Sequence, residues 1–412
     1  MIGQWHEGHR VELLENGEEY YPRLFEAIAA AQHEVLLETF ILFDDPVGRQ
    51  FHAAVLAAAQ RGAQVQITID GYGSAWLPEA YTAPLIAAGV RIHVYDPVKT
   101  VLGRRTRMFR RLHRKLAVID RRIAFCGGIN LSHDHVRDYG AQSKQDYALQ
   151  IEGPVVDEIR RLMLETTTPP VRRQWRWRRR RQAGAASEPP RQAGDALAAL
   201  VVRDNARHRA DIERIYRVGV RAARHEIIIA NAYFFPGYRL LRDLRRAARR
   251  GVRVRLILQG NPDMRWVQWA ANTLHDYLLR GGVHIYEYCE RPMHAKVAVI
   301  DGDWATVGSS NLDPLSLFLN LEANLVVRSR PLADALRASL ERLMQHHCRR
   351  ILPEDARRRT LLRQLLSYVA YHATRRLPAF AGWLPAHAPK HTTLPAPGTT
   401  AATEPPAAPT GD

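Results

Sequence analysis

One eight-residue string occurs twice in this chain, and it limits the possible folds more than any other feature. His113-Arg114-Lys115-Leu116-Ala117-Val118-Ile119-Asp120 returns as His294-Ala295-Lys296-Val297-Ala298-Val299-Ile300-Asp301, with His, Lys and Asp at the same spacings. Six residues after each Asp comes a small-residue turn ending in Asn: Gly127-Gly128-Ile129-Asn130 in the first copy, Gly308-Ser309-Ser310-Asn311 in the second. A repeat at this distance marks a duplicated unit. Two copies that carry the same chemical groups are expected to meet at one site.

The surrounding pattern repeats with the motif. Glu34–Phe43 is apolar and β-prone, Gly48–Arg61 has helical periodicity and stops at Gly62, and Gln64–Ile69 reads as a second strand ending at Asp70. A short helix over Ala83–Ala88 and a strand over Arg91–Tyr95 lead to the motif strand Leu112–Ile119 and its return through Ile123–Phe125. The second half replays this as strand Glu226–Phe235, helix Leu240–Arg250, strand Val252–Leu258, helix Trp266–Leu279 and strand Val283–Tyr288. Strands alternating with helices predict an α/β fold of two homologous units whose cores pack face to face. The expected segments are unit one over 1–165, a linker over 166–195, unit two over 196–350, an amphipathic or apolar segment over 351–384, and a disordered tail over 385–412.

Composition matters mainly through charge. The chain has 412 residues, 46% hydrophobic and 25% charged, which is ordinary for a folded protein, but its net charge is +17. That excess predicts attraction to polyanions, whether nucleic acid or an anionic membrane. Nearly all of the cations are Arg; of the five Lys, two are Lys115 and Lys296 of the motif. The run Arg172–Arg181, with Trp175 and Trp177, reads either as a solvated charge run or as a contact with an anionic interface. Cys126, Cys289 and Cys348 have no disulfide or zinc spacing and are expected to be core thiols in a reducing compartment. No signal peptide and no apolar stretch of transmembrane length is expected.

Alternate side chains of a strand share a face, so His113 pairs with Lys115, and His294 with Lys296. Two imidazoles and two ammonium groups around one pocket suit a phosphodiester. Lys115, Lys296, Asn130 and Asn311 can hold its nonbridging oxygens. One His can attack phosphorus to form a phosphohistidine, while the other protonates the leaving oxygen and then deprotonates the incoming hydroxyl. Two inversions give net retention. Side chains supply the positive charge, so neither a metal nor another cofactor is expected. Asp120 and Asp301 complete the motif's catalytic set by type, but they fall at the hairpin turn on the opposite parity and are expected to fix it. Each His needs a carboxylate to set its tautomer, and Asp146 and Glu322 are the candidates. His133-Asp134-His135 looks like a metal pair but lacks further ligand spacing, and Asp70 is expected to stabilise a turn. Trp266 and Trp269 are expected in the core.

Two copies of His-x-Lys-x4-Asp, each followed by x6-Gly-[Gly/Ser]-x-Asn, resemble the phospholipase D superfamily. Gly128 departs from the Ser often found there. Ser309 keeps it, and by that resemblance is a substrate contact. Within the superfamily the chain resembles bacterial cardiolipin synthases of the shorter type, which lack N-terminal transmembrane helices. The resemblance is carried by Leu37–Ile41, Gly127–Ser132, Lys144–Ala148, Trp304–Ser316 and Asn320–Leu325. It implies two phospholipase D-like α/β/α domains, each a mixed sheet flanked by helices, arranged with a pseudo-two-fold around one active site. It also implies phosphatidyl transfer between two phosphatidylglycerol molecules, giving cardiolipin and glycerol, with His113 as nucleophile and His294 as acid and base. The implied partner is an anionic phospholipid surface rather than nucleic acid, and the implied location is the cytoplasmic side of the cell membrane. Hydrolysis with water as acceptor, as a phospholipase D or nuclease, is the competing reading. A non-catalytic binding role is the third.

Overall fold

The computed structural model of the chain describes residues 2–97, 100–101, 104–105, 110–167, 192–260, 274–352 and 390–395. The Arg/Trp run, Trp266, Trp269, nearly all of the 351–384 segment and most of the tail lie outside the described residues.

The first half contains β1 (Trp5–Glu15), α1 (Asn16–Ala30), β2 (Glu34–Thr39), α2 (Pro46–Gln60), β3 (Gln64–Asp70), α3 (Glu79–Ala87) and β4 (Arg91–Tyr95). The short pair β5 (Thr100–Val101) and β6 (Arg104–Arg105) follows, then β7 (Leu116–Ile119), β8 (Ile123–Gly127), β9 (Tyr147–Glu152) and α4 (Val155–Thr167). The second half contains β10 (Ala196–Arg203), α5 (Asp211–Ala222), β11 (Glu226–Asn231), α6 (Tyr238–Arg249), β12 (Arg253–Gln259) and β13 (His284–Tyr288). It continues with β14 (Lys296–Ile300), β15 (Trp304–Gly308), α7 (Pro314–Phe318), β16 (Glu322–Arg328), α8 (Arg330–His346) and β17 (Cys348–Ile351).

The local causes are plain in several elements. β11 reads Glu-Ile-Ile-Ile-Ala-Asn and is buried along its whole length, as a central strand covered on both faces must be. Asp45 caps α2 by accepting the Gly48 N–H, Pro46 occupies its first turn, and Gly62 at φ +99° ends it.

From its outer edge inward, the first half orders its strands β4-β3-β2-β7-β8-β9-β1, and the second half orders the matching strands β13-β12-β11-β14-β15-β16-β10. In both, the outer three strands run parallel and the rest antiparallel. The expected duplication of a mixed sheet is therefore seen strand for strand. β1 then pairs antiparallel with β10, Trp5 opposite Ala199, so the halves join edge to edge into one 16-stranded sheet. A shared core adds a face-to-face contact. One cluster takes Leu116, Cys126 and Tyr147 from the first half together with Ile228, Val297, Leu336 and Leu340 from the second. Two further clusters fill the outer faces of the sheet beneath α1–α3 and beneath α5 and α6.

Four expectations change. The first strand ends at Thr39 rather than Phe43, and the motif strand begins at Leu116 rather than Leu112, because His113 turns its backbone to the other half. Inside the tail expected to be disordered, β18 (His391–Thr393) adds antiparallel to the open edge of β4, with His93 Nδ1 3.0 Å from Thr393 Oγ1. Cys126 is buried as expected, but Cys289 is exposed and Cys348 only partly covered.

Candidate active site

Each motif His lies just before its strand, at the seam between halves. The His113 N–H donates to the Leu321 carbonyl at 3.0 Å, and the His294 N–H donates to the Gln145 carbonyl at 2.8 Å. Leu321 and Gln145 immediately precede Glu322 and Asp146, so the backbone bond delivers each carboxylate to the histidine of the opposite half. His113 Nδ1 lies 3.0 Å from Glu322 Oε2, and His294 Nδ1 lies 2.6 Å from Asp146 Oδ2. Both candidate carboxylates therefore reach the site, and they reach it crosswise. A carboxylate accepts only, so each Nδ1 carries the proton and each Nε2 is left with its lone pair for substrate.

The two Lys complete the set. Lys115 Nζ donates to the His113 carbonyl at 2.7 Å and lies 5.3 Å from the centre of the Phe40 ring, while Lys296 Nζ donates to the His294 carbonyl. Burial, with the other Lys adding repulsion, pushes Lys115 down to about 7; burial pushes Lys296 down to about 8 against the pull of Asp146 and Glu322. Burial also lowers His113, and it lowers His294 further with Lys296 and Lys144 repelling its charge.

The two carboxylates differ. Burial alone would raise Glu322, but His113, Lys115 and the Ser309 hydroxyl hold it below its ordinary value, with Ser309 Oγ donating at 2.5 Å. Burial raises Asp146 to about 6 despite Lys296. The first half has Gly128 where the second has Ser309, and a Cβ on Gly128 would lie 2.4 Å from Asp146 Oδ1. Ser309, expected to touch substrate, thus spends its hydroxyl on Glu322.

The remaining sequence candidates separate. Asn130 and Asn311 are both buried near the motif turns; Asn130 Oδ1 accepts the Ile41 N–H at 3.3 Å, and Asn311 Oδ1 has no partner among the described residues. Asp120 and Asp301 do not reach the site. They sit at the far end of β7 and β14, five residues or roughly 16 Å of strand from the Lys. Asp120 accepts the N–H groups of Gln32, His33 and Glu34 at 2.8 Å, and Asp301 accepts those of Arg224, His225 and Glu226 at 2.7–2.9 Å. Placing them in the catalytic set is corrected: a carboxylate engaged with three backbone donors at φ +50° is a turn clamp. Asp70 also clamps a turn, accepting from Tyr72 and Gly73, and it accepts from Arg111 and from the Leu112 N–H as well, which fixes the approach to His113.

Two residues not singled out for the site help to build it. Asn16, at φ +61°, accepts the Asp146 N–H through Oδ1 and donates its own N–H to the Asp146 carbonyl. His135, one of the two His that resemble a metal pair in the sequence, is fully buried, with its ring 5.4 Å from that of His294. His135, Asp146 and His294 offer ligand atoms within 4.8 Å of one another, among the described residues. They do not fit a metal well as they stand. The Asn130 N–H donates to His135 Nε2 at 3.3 Å, which leaves the proton on His135 Nδ1, and His294 Nδ1 already holds Asp146.

Comparison with known proteins gives the family. The family model described as "Cardiolipin synthase, PLD-like domain" matches twice, over residues 24–164 and 219–344. The chain is 52% identical over 395 residues to cardiolipin synthase B of Salmonella typhi, covering 95% of this chain and 94% of that protein. It is 50% identical over 392 residues to cardiolipin synthase B of Escherichia coli K12, with the same shares covered. Among solved structures, the phosphatidylserine synthase of Haemophilus influenzae superposes with a TM-score of 0.65 at 12% identity, over 91% of this chain and 94% of that one, which is a likeness of fold. With two matched domains, two His/Lys motifs and one seam between them, the chain belongs to the cardiolipin synthase family of phospholipase D-like proteins.

Proposed function

We propose that the chain is a cardiolipin synthase that moves a phosphatidyl group from one phosphatidylglycerol to a hydroxyl of another, releasing glycerol. Relatives that match nearly the whole chain at 50–52% identity carry the name cardiolipin synthase B. The observation that carries the chemistry is the crossed pair of His–carboxylate contacts, which leaves both Nε2 atoms free on imidazoles that feel the charge of Lys115 and Lys296.

The phosphodiester binds with its nonbridging oxygens toward Lys115 and Lys296, whose charge offsets that developing at phosphorus. His113 is taken as the nucleophile because its Nδ1–H is held by a carboxylate that stays ionised, whereas the carboxylate behind His294 is raised by burial. Its Nε2 attacks phosphorus while His294 gives a proton to the departing glycerol oxygen. An incoming phosphodiester anion favours the protonated His294 needed for that step, and Asp146 steadies the imidazolium. The second phosphatidylglycerol then loses its hydroxyl proton to His294, and its oxygen displaces His113 from phosphorus.

An anionic bilayer is the natural source of the lipid. The +17 charge draws the chain to it, and no helix among the described residues is long and apolar enough to cross it. We place the enzyme as a peripheral protein on the cytoplasmic face, a position that its three free thiols fit.

The test is purified protein with radiolabelled phosphatidylglycerol vesicles and chromatography of the products. Cardiolipin and glycerol in equal amounts are expected, and His113→Ala should remove both while leaving vesicle binding intact. Phosphatidic acid as the only lipid product would make the protein a hydrolase. DNA cleavage without lipid turnover would make it a nuclease.

A further inference from the structure

The two His–carboxylate pairs are related by the pseudo-two-fold but not equally supported. Glu322 has the Ser309 hydroxyl as a second donor, at 2.5 Å. Asp146 accepts the Tyr147 N–H on Oδ1 at 2.8 Å, but Oδ2, the oxygen that holds His294, has no hydroxyl donor because position 128 is Gly, and none fits: a Cβ there would lie 2.4–2.5 Å from the carboxylate oxygens. Beside that oxygen stands His135, fully buried, with Nδ1 4.0 Å from Asp146 Oδ2. Its protonation follows from its neighbours. A backbone N–H can only donate, so Nε2, receiving the Asn130 N–H, is an acceptor, and in the neutral ring the hydrogen resides on Nδ1. That Nδ1 has no hydrogen-bond partner among the described residues. A buried donor without a partner is rare in a folded protein and calls for a role.

The loop that carries His135 is braced on several sides. The Tyr21 hydroxyl bridges the carbonyls of Asn130 and Ser132, Asp45 accepts the His133 N–H, and Lys144 bonds Asp134 through both backbone and side chain. The backbone that carries the ring is therefore braced, with the ring edge-on to His294 at 5.4 Å and 73°. The charged and titratable groups facing it are Asp146, His294, Asp134, Lys144, Lys115 and Lys296.

We infer that His135 is a positioning residue for the Asp146–His294 pair, its Nδ1–H filling the role that the Ser309 hydroxyl fills for Glu322. The 4.0 Å gap closes to a hydrogen bond with about 1 Å of movement, as contacts of catalytic groups do when substrate binds. The donor then keeps Asp146 ionised, so that Asp146 holds the His294 tautomer and supports its imidazolium. It also makes the two halves unequal, with a hydroxyl behind the nucleophile and an imidazole behind the proton carrier.

This inference rests on the proposed function, so its test has one readout that depends on turnover and one that does not. His135→Leu fills the space without a donor, His135→Asn returns an N–H near the Nδ1 position, and His135→Gln places its amide near Nε2 instead. For His135→Leu, kcat on phosphatidylglycerol should fall about tenfold, the kinetic worth of one hydrogen bond to a charged group, with KM little changed. The acid limb of the pH–rate profile should move to higher pH, because Asp146 without the donor is protonated more readily. His135→Asn should recover both, and His135→Gln should not. In parallel, 15N-histidine NMR should show the His294 Nδ1–H signal perturbed in the Leu variant and restored in the Asn variant. If Leu and Asn behave alike in NMR and pH profile and differ from wild type only in thermal midpoint, the role is packing and the inference falls. Wild-type behaviour of the Leu variant would also overturn it. Absence of turnover in wild type, with the NMR pattern as expected, would count against the proposed function and not against His135.

Discussion

Asp120 takes three backbone N–H groups at the start of β2, and Asp301 takes three at the start of β11. Losing those acceptors costs about 2–3 kcal/mol of stability. Asp120→Ala should therefore lower the thermal midpoint while kcat per folded molecule stays within about twofold of wild type, the range of substitutions remote from chemistry. Calorimetry and turnover on one preparation decide it; a large kcat loss at unchanged midpoint would return Asp120 to the site. The buried groups also predict a bell-shaped pH profile for kcat/KM. Asp146, raised to about 6, sets the acid limb, since its protonation removes the partner of His294. Lys115 at about 7 and Lys296 at about 8 set the alkaline limb, since deprotonation removes the charge that binds phosphate. In kcat the alkaline limb should lie higher, because bound phosphodiester anion stabilises the ammonium forms. An activity flat from pH 5 to 9 would contradict these assignments. At this scale the two His and the two Lys were legible because their types and spacings repeat, and the two carboxylates because each begins a strand a similar distance past its motif. His135 was not, because its neighbours His294 and Asp146 are close only in the fold.

The turn after β8 reaches the site through a missing side chain. Asp146 lies over Gly128, and Gly128→Ser should push it off His294 and cost roughly a hundredfold in kcat, within the range of a general acid–base contribution. Steady-state kinetics with a folding control checks this; undiminished activity would mean that Asp146 has room the structure does not show. Elements with strong periodicity and Gly stops, such as β2, α2, β3 and their mates β11, α6 and β12, could be read directly from sequence. β1 and β10 could not. Trp5–Glu15 mixes charged and apolar residues around Gly8, and its strand state comes from lying between β9 and β10. β18 was missed for the same reason: it is ordered by the open edge of β4, not by its own composition.

At the scale of the molecule, the duplication was legible and the manner of joining was not. Similar apolar strands predict two cores facing each other; the chain shares such a core and also runs one sheet through both halves. The crossed contacts give this joining a chemical purpose. Neither half owns a complete His–carboxylate pair, since His113 depends on Glu322 and His294 on Asp146. On the proposed mechanism, His113 at this shared seam carries the phosphatidyl group covalently. The most direct test is to quench the enzyme during turnover of phosphatidylglycerol in alkaline denaturant, digest it, and locate the phosphatidyl adduct by mass spectrometry. The adduct is expected on the peptide containing His113, with none on the His113→Ala protein. An adduct on His294, or turnover to cardiolipin by His113→Ala, would contradict that mechanism.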